Sequence, residues 1–267
     1  MKLSEIYALA DEIAPKKLSD EYCAKYGAYD NSGVLIDCGD EINGILFSLD
    51  LSGEAIEKAI ANGCNLIHTH HPAIYGKIGD IRIDDALGKK VIACIKNGIS
   101  LIAMHLNLDS AKDGIDENLQ KGICAVTGVS ATENETVMHP LSCGGYGRVY
   151  AVQKCSLAKL ENGMEKEFST DKILVYGDRE KEISRVASFC GSGIDESAIA
   201  FAKEQGADVI VSSDFKHHHI ALAIESGLAV IVLPHYASEN YGFEKYYQKI
   251  RQRLGIPCVY HTDTILL

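Results

Sequence analysis

Short runs of Val, Ile and Leu alternate along this chain with longer stretches whose apolar positions recur every three or four residues. In the first half the runs are "GILFSLD" (44–50), "CNLIH" (64–68) and "ISLIAMH" (99–105), and the periodic stretches are "SGEAIEKAIANG" (52–63) and "DDALGKKVIACIKNG" (84–98). Another helix is expected from about Gly114 to Ala125. In the second half the strands are "DKILVYG", "ISRVASF", "DVIVSS", "LAVIVLP" and "PCVYH", and the helices are "DESAIAFAKEQG", "HHHIALAIESG" and "ENYGFEKYYQKIRQRL". Strands that alternate with helices of this length predict βα units, so the expected fold is α/β with mainly parallel sheets flanked by helices. The segment "VSATENETVMHPLSCGGYGRVY" (129–150) is rich in Gly, Ser and Thr and marks a boundary between two lobes, 1–128 and 129–267.

The two halves repeat a polar pattern as well as an apolar one. After Gly63 a strand leads to His70 and His71, and after Gly206 a strand leads to Asp214. After Gly98 the next strand leads to His105 and, four residues on, Asp109; after Gly227 it leads to His235 and, four residues on, Glu239. A glycine that ends a helix is common to α/β proteins. A histidine and a carboxylate four apart, in both halves, is not required by that grammar. The pattern predicts a duplicated lobe whose corresponding strands end in polar loops. In open α/β sheets ligands bind beyond the carboxyl ends of the strands, so a site in the crevice between the lobes is expected.

Neutral imidazole nitrogens and carboxylate oxygens suit zinc, iron, manganese or cobalt, and a carboxylate can bridge two ions. His70, His71, Asp109, His235 and Glu239 are therefore candidate ligands for a pair of divalent metals. Pro72 disfavours helix at His71 and stiffens that loop. His105 has three roles open to it: ligand, orienter of Asp109, or substrate contact. His68 reads as a hydrogen-bonded core histidine, because strand alternation leaves it inside the sheet. His139 and His261 have no carboxylate partner in a matching loop.

Composition narrows the field. At 267 residues, the chain has room for two modest lobes, and no apolar run approaches the 18 residues of a membrane span. The opening "MKLSEIYALADEIAPKK" has helical spacing with interspersed acids, unlike a secretion signal, so a soluble cytoplasmic protein is expected. Nine cysteines without a C-x-x-C pair point to free thiols and not to a disulfide framework. The net charge of −11 disfavours nucleic acid as a partner.

Three motifs remain. The run "SSDFKHHHIAL" (212–222) opens a helix near Lys216, and because successive helical side chains diverge by about 100°, its histidines cannot all face one pocket. Asp214, Lys216 and His217 lie nearest the strand end, with His218 following. The glycine-rich "FCGSGIDE" (189–196) follows a strand and opens a helix but lacks a phosphate-loop spacing. "SCGGYGRVY" (142–150) brings Arg148, which has a phosphate, a carboxylate or a tight turn open to it.

At "YDNSGVLIDCGD", "THHP", "HLNLDSAKDGIDENL", "GGYGRV", "VASFCGSGID", "ADVIVSSDFKHH" and "HYASE" the chain resembles the dinuclear-metal-centre hexameric proteins, also called NGG-one interacting factor three-like proteins or GTP cyclohydrolase I type 2 homologues. The resemblance covers essentially the whole chain. It implies two divalent ions per subunit on His70, His71, Asp109, His235 and Glu239, and a toroidal homohexamer built as a trimer of dimers. It also implies a short form without an inserted domain. Relatives often have Thr-Gly where this chain has Ser212-Ser213. The activity implied is metal-dependent hydrolysis of a small molecule, a nucleotide such as GTP, with His105, His217 or His218 as proton carriers. The rival expectation is a non-enzymatic role in metal storage, metal delivery or regulatory interaction.

Overall fold

Each apolar run that follows a helix-ending glycine forms a four-residue strand buried along its whole length or nearly so, and these strands set the frame. The computed structural model describes residues 1–129 and 135–266, so residues 130–134 of the expected lobe boundary lie outside the described residues. Helices α1 (Leu3–Ile13) and α2 (Lys16–Tyr26) precede strands β1 (Gly33–Ile36) and β2 (Ile45–Ser48). Then come α3 (Gly53–Ala61), β3 (Leu66–Thr69), α4 (Ala86–Lys96), β4 (Ser100–Ala103), α5 (Leu106–Ser110) and α6 (Ile115–Thr127). The second half contains β5 (Thr136–Pro140), β6 (Gly145–Ser156), α7 (Leu157–Glu167), β7 (Leu174–Tyr176), β8 (Glu182–Ser188) and α8 (Glu196–Glu204). It closes with β9 (Val209–Ser212), α9 (His217–Glu225), β10 (Ala229–Val232), α10 (His235–Ile250) and β11 (Cys258–His261).

The chain forms two compact units. One consists of Met1–Ala111 with Phe243–Thr262, and the other of Lys112–Gly242 with the residues from Asp263. The first contains the sheet β1-β4-β3-β2-β11; it is parallel except at β1–β4. Chain order alone assigns residues 243–262 to the second lobe and residues 112–128 to the first, whereas the structure distributes both segments the other way. The physical reason for the C-terminal segment is strand pairing: β11 runs parallel to β2, from Cys258 opposite Ile45 to His261 opposite Ser48.

The second unit contains the sheet β5-β6-β8-β9-β10-β7. Only its centre, β8-β9-β10, is parallel; β5–β6, β6–β8 and β10–β7 are antiparallel. The glycine-rich stretch read as a lobe boundary supplies the antiparallel strand β6, because β-hairpin pairing needs no crossover helix.

Placed side by side, the two sheets share four strands in order and sense. β1, β4, β3 and β2 correspond to β7, β10, β9 and β8, each set with three parallel strands and one antiparallel edge. They differ at the fifth position, where β11 is parallel to β2 and β6 is antiparallel to β8. The helices correspond too: α3 and α4, like α8 and α9, end two residues before a left-handed glycine at Gly63, Gly98, Gly206 and Gly227. Only glycine takes that backbone without a side-chain penalty, so these four positions fix where each parallel strand begins.

Strands β2, β3, β4 and β9 have every residue buried, and β10 nearly so. At roughly 1.5–3 kcal/mol per fully buried Val, Leu or Ile side chain, the strand ends are the best-anchored positions from which polar side chains can project. Among the described residues no helix is long and apolar enough to cross a membrane, and all nine cysteines are free thiols.

Candidate metal centre

In the first unit the donors emerge where β3 and β4 end. The backbone N–H groups of His70 and His71 both donate to the Leu49 carbonyl just past β2, at 3.2 and 3.0 Å. The Thr69 hydroxyl donates to the His71 carbonyl at 2.8 Å. These bonds hold two neighbouring side chains on a bent, non-helical backbone. His70 is fully buried, and its Nδ1 lies 2.7 Å from the Met104 carbonyl. The Nδ1 of His71 lies 2.8 Å from the Asp50 carboxylate.

His105 caps α5, with its backbone N–H on Ser32 Oγ at 2.9 Å and its Nδ1 2.8 Å from Asp30. The carboxylate of Asp30 is fully buried and also accepts from Ser32 Oγ at 2.6 Å and from Ser19 Oγ. Burial opposes the charge on Asp30, but the bonds from His105, Ser19 and Ser32 win and hold its pKa far below the usual carboxylate range. Burial likewise works against protonated His105, yet its hydrogen bond to Asp30 and the charges of Asp109 and Asp30 raise its pKa. Asp109, on α5 and 4% exposed, places an oxygen 3.4 Å from His70 Nε2. One nitrogen each from His70, His71 and His105 lies within 4.8 Å of the other two.

The second unit presents the matching positions at the ends of β9 and β10. Sequence reading puts His235 and Glu239 in a loop and starts the last helix at Glu239. The structure starts α10 at His235, so the four-residue spacing is one helical turn that stacks the two side chains. His235 Nε2 lies 2.9 Å from Glu239 Oε2, and its Nδ1 lies 2.7 Å from Asp214. Burial disfavours the imidazolium of His235, but the hydrogen bonds and charges of Glu239 and Asp214 outweigh it and carry the pKa up to about 9.

Gly191, just past β8, supports this pair. Its φ is +56°, and a Cβ there would sit 2.2 Å from Glu239 Oε1 and 3.3 Å from His235 Nε2. Its carbonyl accepts from Ser212 Oγ at 3.1 Å and from the Ser213 N–H at 3.2 Å, which fixes it against the end of β9.

These two sets fit a divalent ion on chemical grounds. Metal-binding histidines use one ring nitrogen on the ion and donate the other N–H to a carboxylate or carbonyl. His70, His71, His105 and His235 all have Nδ1 against such an oxygen, which turns Nε2 the other way. Two ligands at 2.0–2.1 Å from one tetrahedral ion stand roughly 3.4 Å apart, which is the separation of His70 Nε2 from Asp109 Oδ1. Gly191 leaves open the space that any side chain would take from Glu239.

The remaining candidates have other surroundings. His68 is a core histidine: its ring stacks on Phe47 at 4.9 Å, Tyr246 Oη lies 3.1 Å from Nε2, and burial lowers its pKa to about 3. Arg148 is buried on Asp116 at 2.8 Å and also reaches Glu135, so it serves a carboxylate of its own chain. His217 and His218 are exposed on α9, whereas His219 is buried. Sequence reasoning missed Asp30 and Asp50, which resemble any other acid along the chain. It also missed the part played by Gly191, for which the only signal was the unexplained glycine pair in "FCGSGIDE".

The chain is similar to known proteins along nearly its whole length. Residues 1–263 match the Duf34/NIF3 (NGG1p interacting factor 3) family. A protein of Clostridium perfringens named GTP cyclohydrolase 1 type 2 homolog is 32% identical over 95% of this chain and 93% of its own. Its namesake in Clostridium acetobutylicum is 30% identical over 90% of this chain and 85% of its own. Among solved structures, reduced HcgD from Methanocaldococcus jannaschii superposes with a TM-score of 0.77 at 28% identity, covering 97% of both chains. A hypothetical protein of Staphylococcus aureus superposes with a TM-score of 0.82 at 25% identity, covering 98% of this chain and 96% of that one. The chain belongs to the Duf34/NIF3 family.

Proposed function

We propose that this protein is a metal-dependent hydrolase of a small molecule, with His70, His71, Asp109, His235 and Glu239 as ligands to two divalent ions. The observation that carries the reading is the shared orientation of four imidazoles, each with Nδ1 against an oxygen acceptor, the way in which metal-binding histidines are held. Glu239 would serve both ions in this reading, since Gly191 puts no side chain against its Oε1. Such a pair, when bound, supplies a Lewis acid and acidifies water toward neutral pH.

The protein's own groups have separate tasks. His235 Nε2 and Glu239 Oε2 stand 2.9 Å apart, and both would hold the cation, whose binding requires the neutral imidazole and the carboxylate. Asp30 holds His105 by Nδ1 and keeps its ring oriented, so His105 Nε2 takes up a proton during the reaction and returns it. This reading favours His105 as carrier over His217 and His218, which stand exposed on α9. The substrate class follows the relatives named GTP cyclohydrolase 1 type 2 homolog: a purine nucleotide opened at C8 with release of formate. The homohexamer belongs to the same proposal and is read by light scattering.

The test is to load untagged protein separately with zinc, manganese, ferrous iron and cobalt and to follow formate from GTP and phosphate from esters. The reading predicts turnover with at least one metal, lost in Glu239→Ala. No turnover with any of them, in protein that holds two ions, overturns the hydrolase and leaves a binding or delivery role.

A further inference from the structure

We propose that His218, His219 and Glu196 form a second transition-metal site, joining the start of α9 to the start of α8. It shares no residue with the five-ligand centre, so its test does not depend on that reading.

The three side chains already converge. His219 Nε2 lies 3.5 Å and His218 Nε2 3.8 Å from the same oxygen, Glu196 Oε1, and the donor atoms all fall within 4.8 Å of one another. Adjacent helical residues usually point about 100° apart. Here the two rings nevertheless meet edge to face with centroids 4.3 Å apart. Glu196 is the first residue of α8, and the position is fixed by Asp195, which caps that helix by accepting from the Ala198 N–H at 2.8 Å. His219 is 3% exposed and its Nδ1 is buried with no hydrogen-bond partner, so this ring gains nothing from water. A core position of this kind favours an apolar residue, whereas a ligand explains an imidazole whose other nitrogen faces a carboxylate.

Two imidazole nitrogens and one carboxylate select zinc, nickel, copper or cobalt over magnesium and calcium, which prefer oxygen. Three protein ligands leave one position of a tetrahedron for water. The site binds more weakly than the main centre for two reasons. Neither imidazole has the outer oxygen acceptor that orients His70, His71, His105 and His235. The helix dipoles at the starts of α8 and α9 also oppose a cation, an effect that Glu196 offsets.

The test uses Zn2+ and Ni2+ on untagged full-length protein, with ion content by elemental analysis and affinity by titration calorimetry. Glu196→Gln with His218→Ala changes two exposed side chains, so the fold is kept, as a thermal melt checks. The proposal predicts that this variant loses one ion per chain from the weaker class, or binds it more than about 100-fold more weakly, beyond what loss of an outer partner alone costs. It also predicts that a variant with Asp109→Asn and Glu239→Gln, in which the main centre is disabled, keeps that weaker class. Unchanged ion content and affinity in Glu196→Gln with His218→Ala overturns the proposal. So does disappearance of the weaker class in the variant lacking the main centre.

Discussion

The two units carry the same strand-end positions with different donors. At the ends of β3 and β4 stand three imidazoles and one carboxylate, with His70 and Asp109 almost wholly buried. At the ends of β9 and β10 stand one imidazole, His235, with a buried Glu239 and an exposed Asp214. The scaffold repeats, down to the helix-ending glycines, while the chemistry placed on it has diverged. In α/β folds the frame is set by apolar burial, which tolerates any side chain at the strand tip, so the tips are free to specialise. The first unit offers mostly nitrogen and the second is richer in oxygen.

This contrast can be broken at several points. The largest expected effect comes from Glu239→Ala, which removes the one carboxylate of the second unit that is both buried and stacked on His235. Metal content by elemental analysis should fall by about two ions per chain, because the two cations of the proposed centre lose the charge that separates them. Gly191→Ala should come next. A methyl group 2.2 Å from Glu239 Oε1, on a backbone with φ of +56°, displaces the carboxylate and adds roughly 1–2 kcal/mol of strain. A lower melting temperature together with loss of metal checks it; a variant that melts lower but keeps its ions would detach Gly191 from the site.

Asp50→Asn and Asp214→Asn sharpen the comparison, since each acid holds a histidine by Nδ1 from its own unit. Each should weaken metal binding by roughly 10–100-fold. Asp214 is the more exposed, 54% against 39% for the side chain, so its effect should be the smaller by calorimetric titration.

A separate effect concerns acid stability and involves the first unit alone. Burial lowers the pKa of His68 to about 3 from an unfolded value of 6.5. The unfolded chain therefore takes up a proton that the folded chain refuses, and stability is lost as pH falls from about 6.5 toward 3. His68→Gln should flatten the slope of unfolding free energy against pH in that window by up to about 1.4 kcal/mol per unit. An unchanged slope in denaturant titrations at pH 6 and pH 4.5 would contradict a neutral buried His68.

Much of this was legible in the chain. The helix-ending glycines and the paired four-residue spacings predict the repeated βα units and bring out the five candidate ligands, because caps and strand ends are local events. What escaped is non-local. Nothing in "PCVYH" says that it will lie beside β2, since any buried strand of that composition pairs as well with several neighbours. The turn of helix from His235 to Glu239 is polar enough to read as loop. Asp30 meets His105 across 75 residues of chain, and no spacing rule reaches that far. The left-handed backbone of Gly191 is needed only because Glu239 arrives there, which is a fact of tertiary packing.

The central proposal is that the donors of two diverged half-sets serve one pair of ions. Anomalous diffraction from crystals of untagged protein, collected at the absorption edge of the bound metal, tests it most directly. The account predicts two peaks per chain about 3.5–4 Å apart, contacted by His70, His71, Asp109, His235 and Glu239. A single peak, or ions that touch the donors of only one unit, would contradict it.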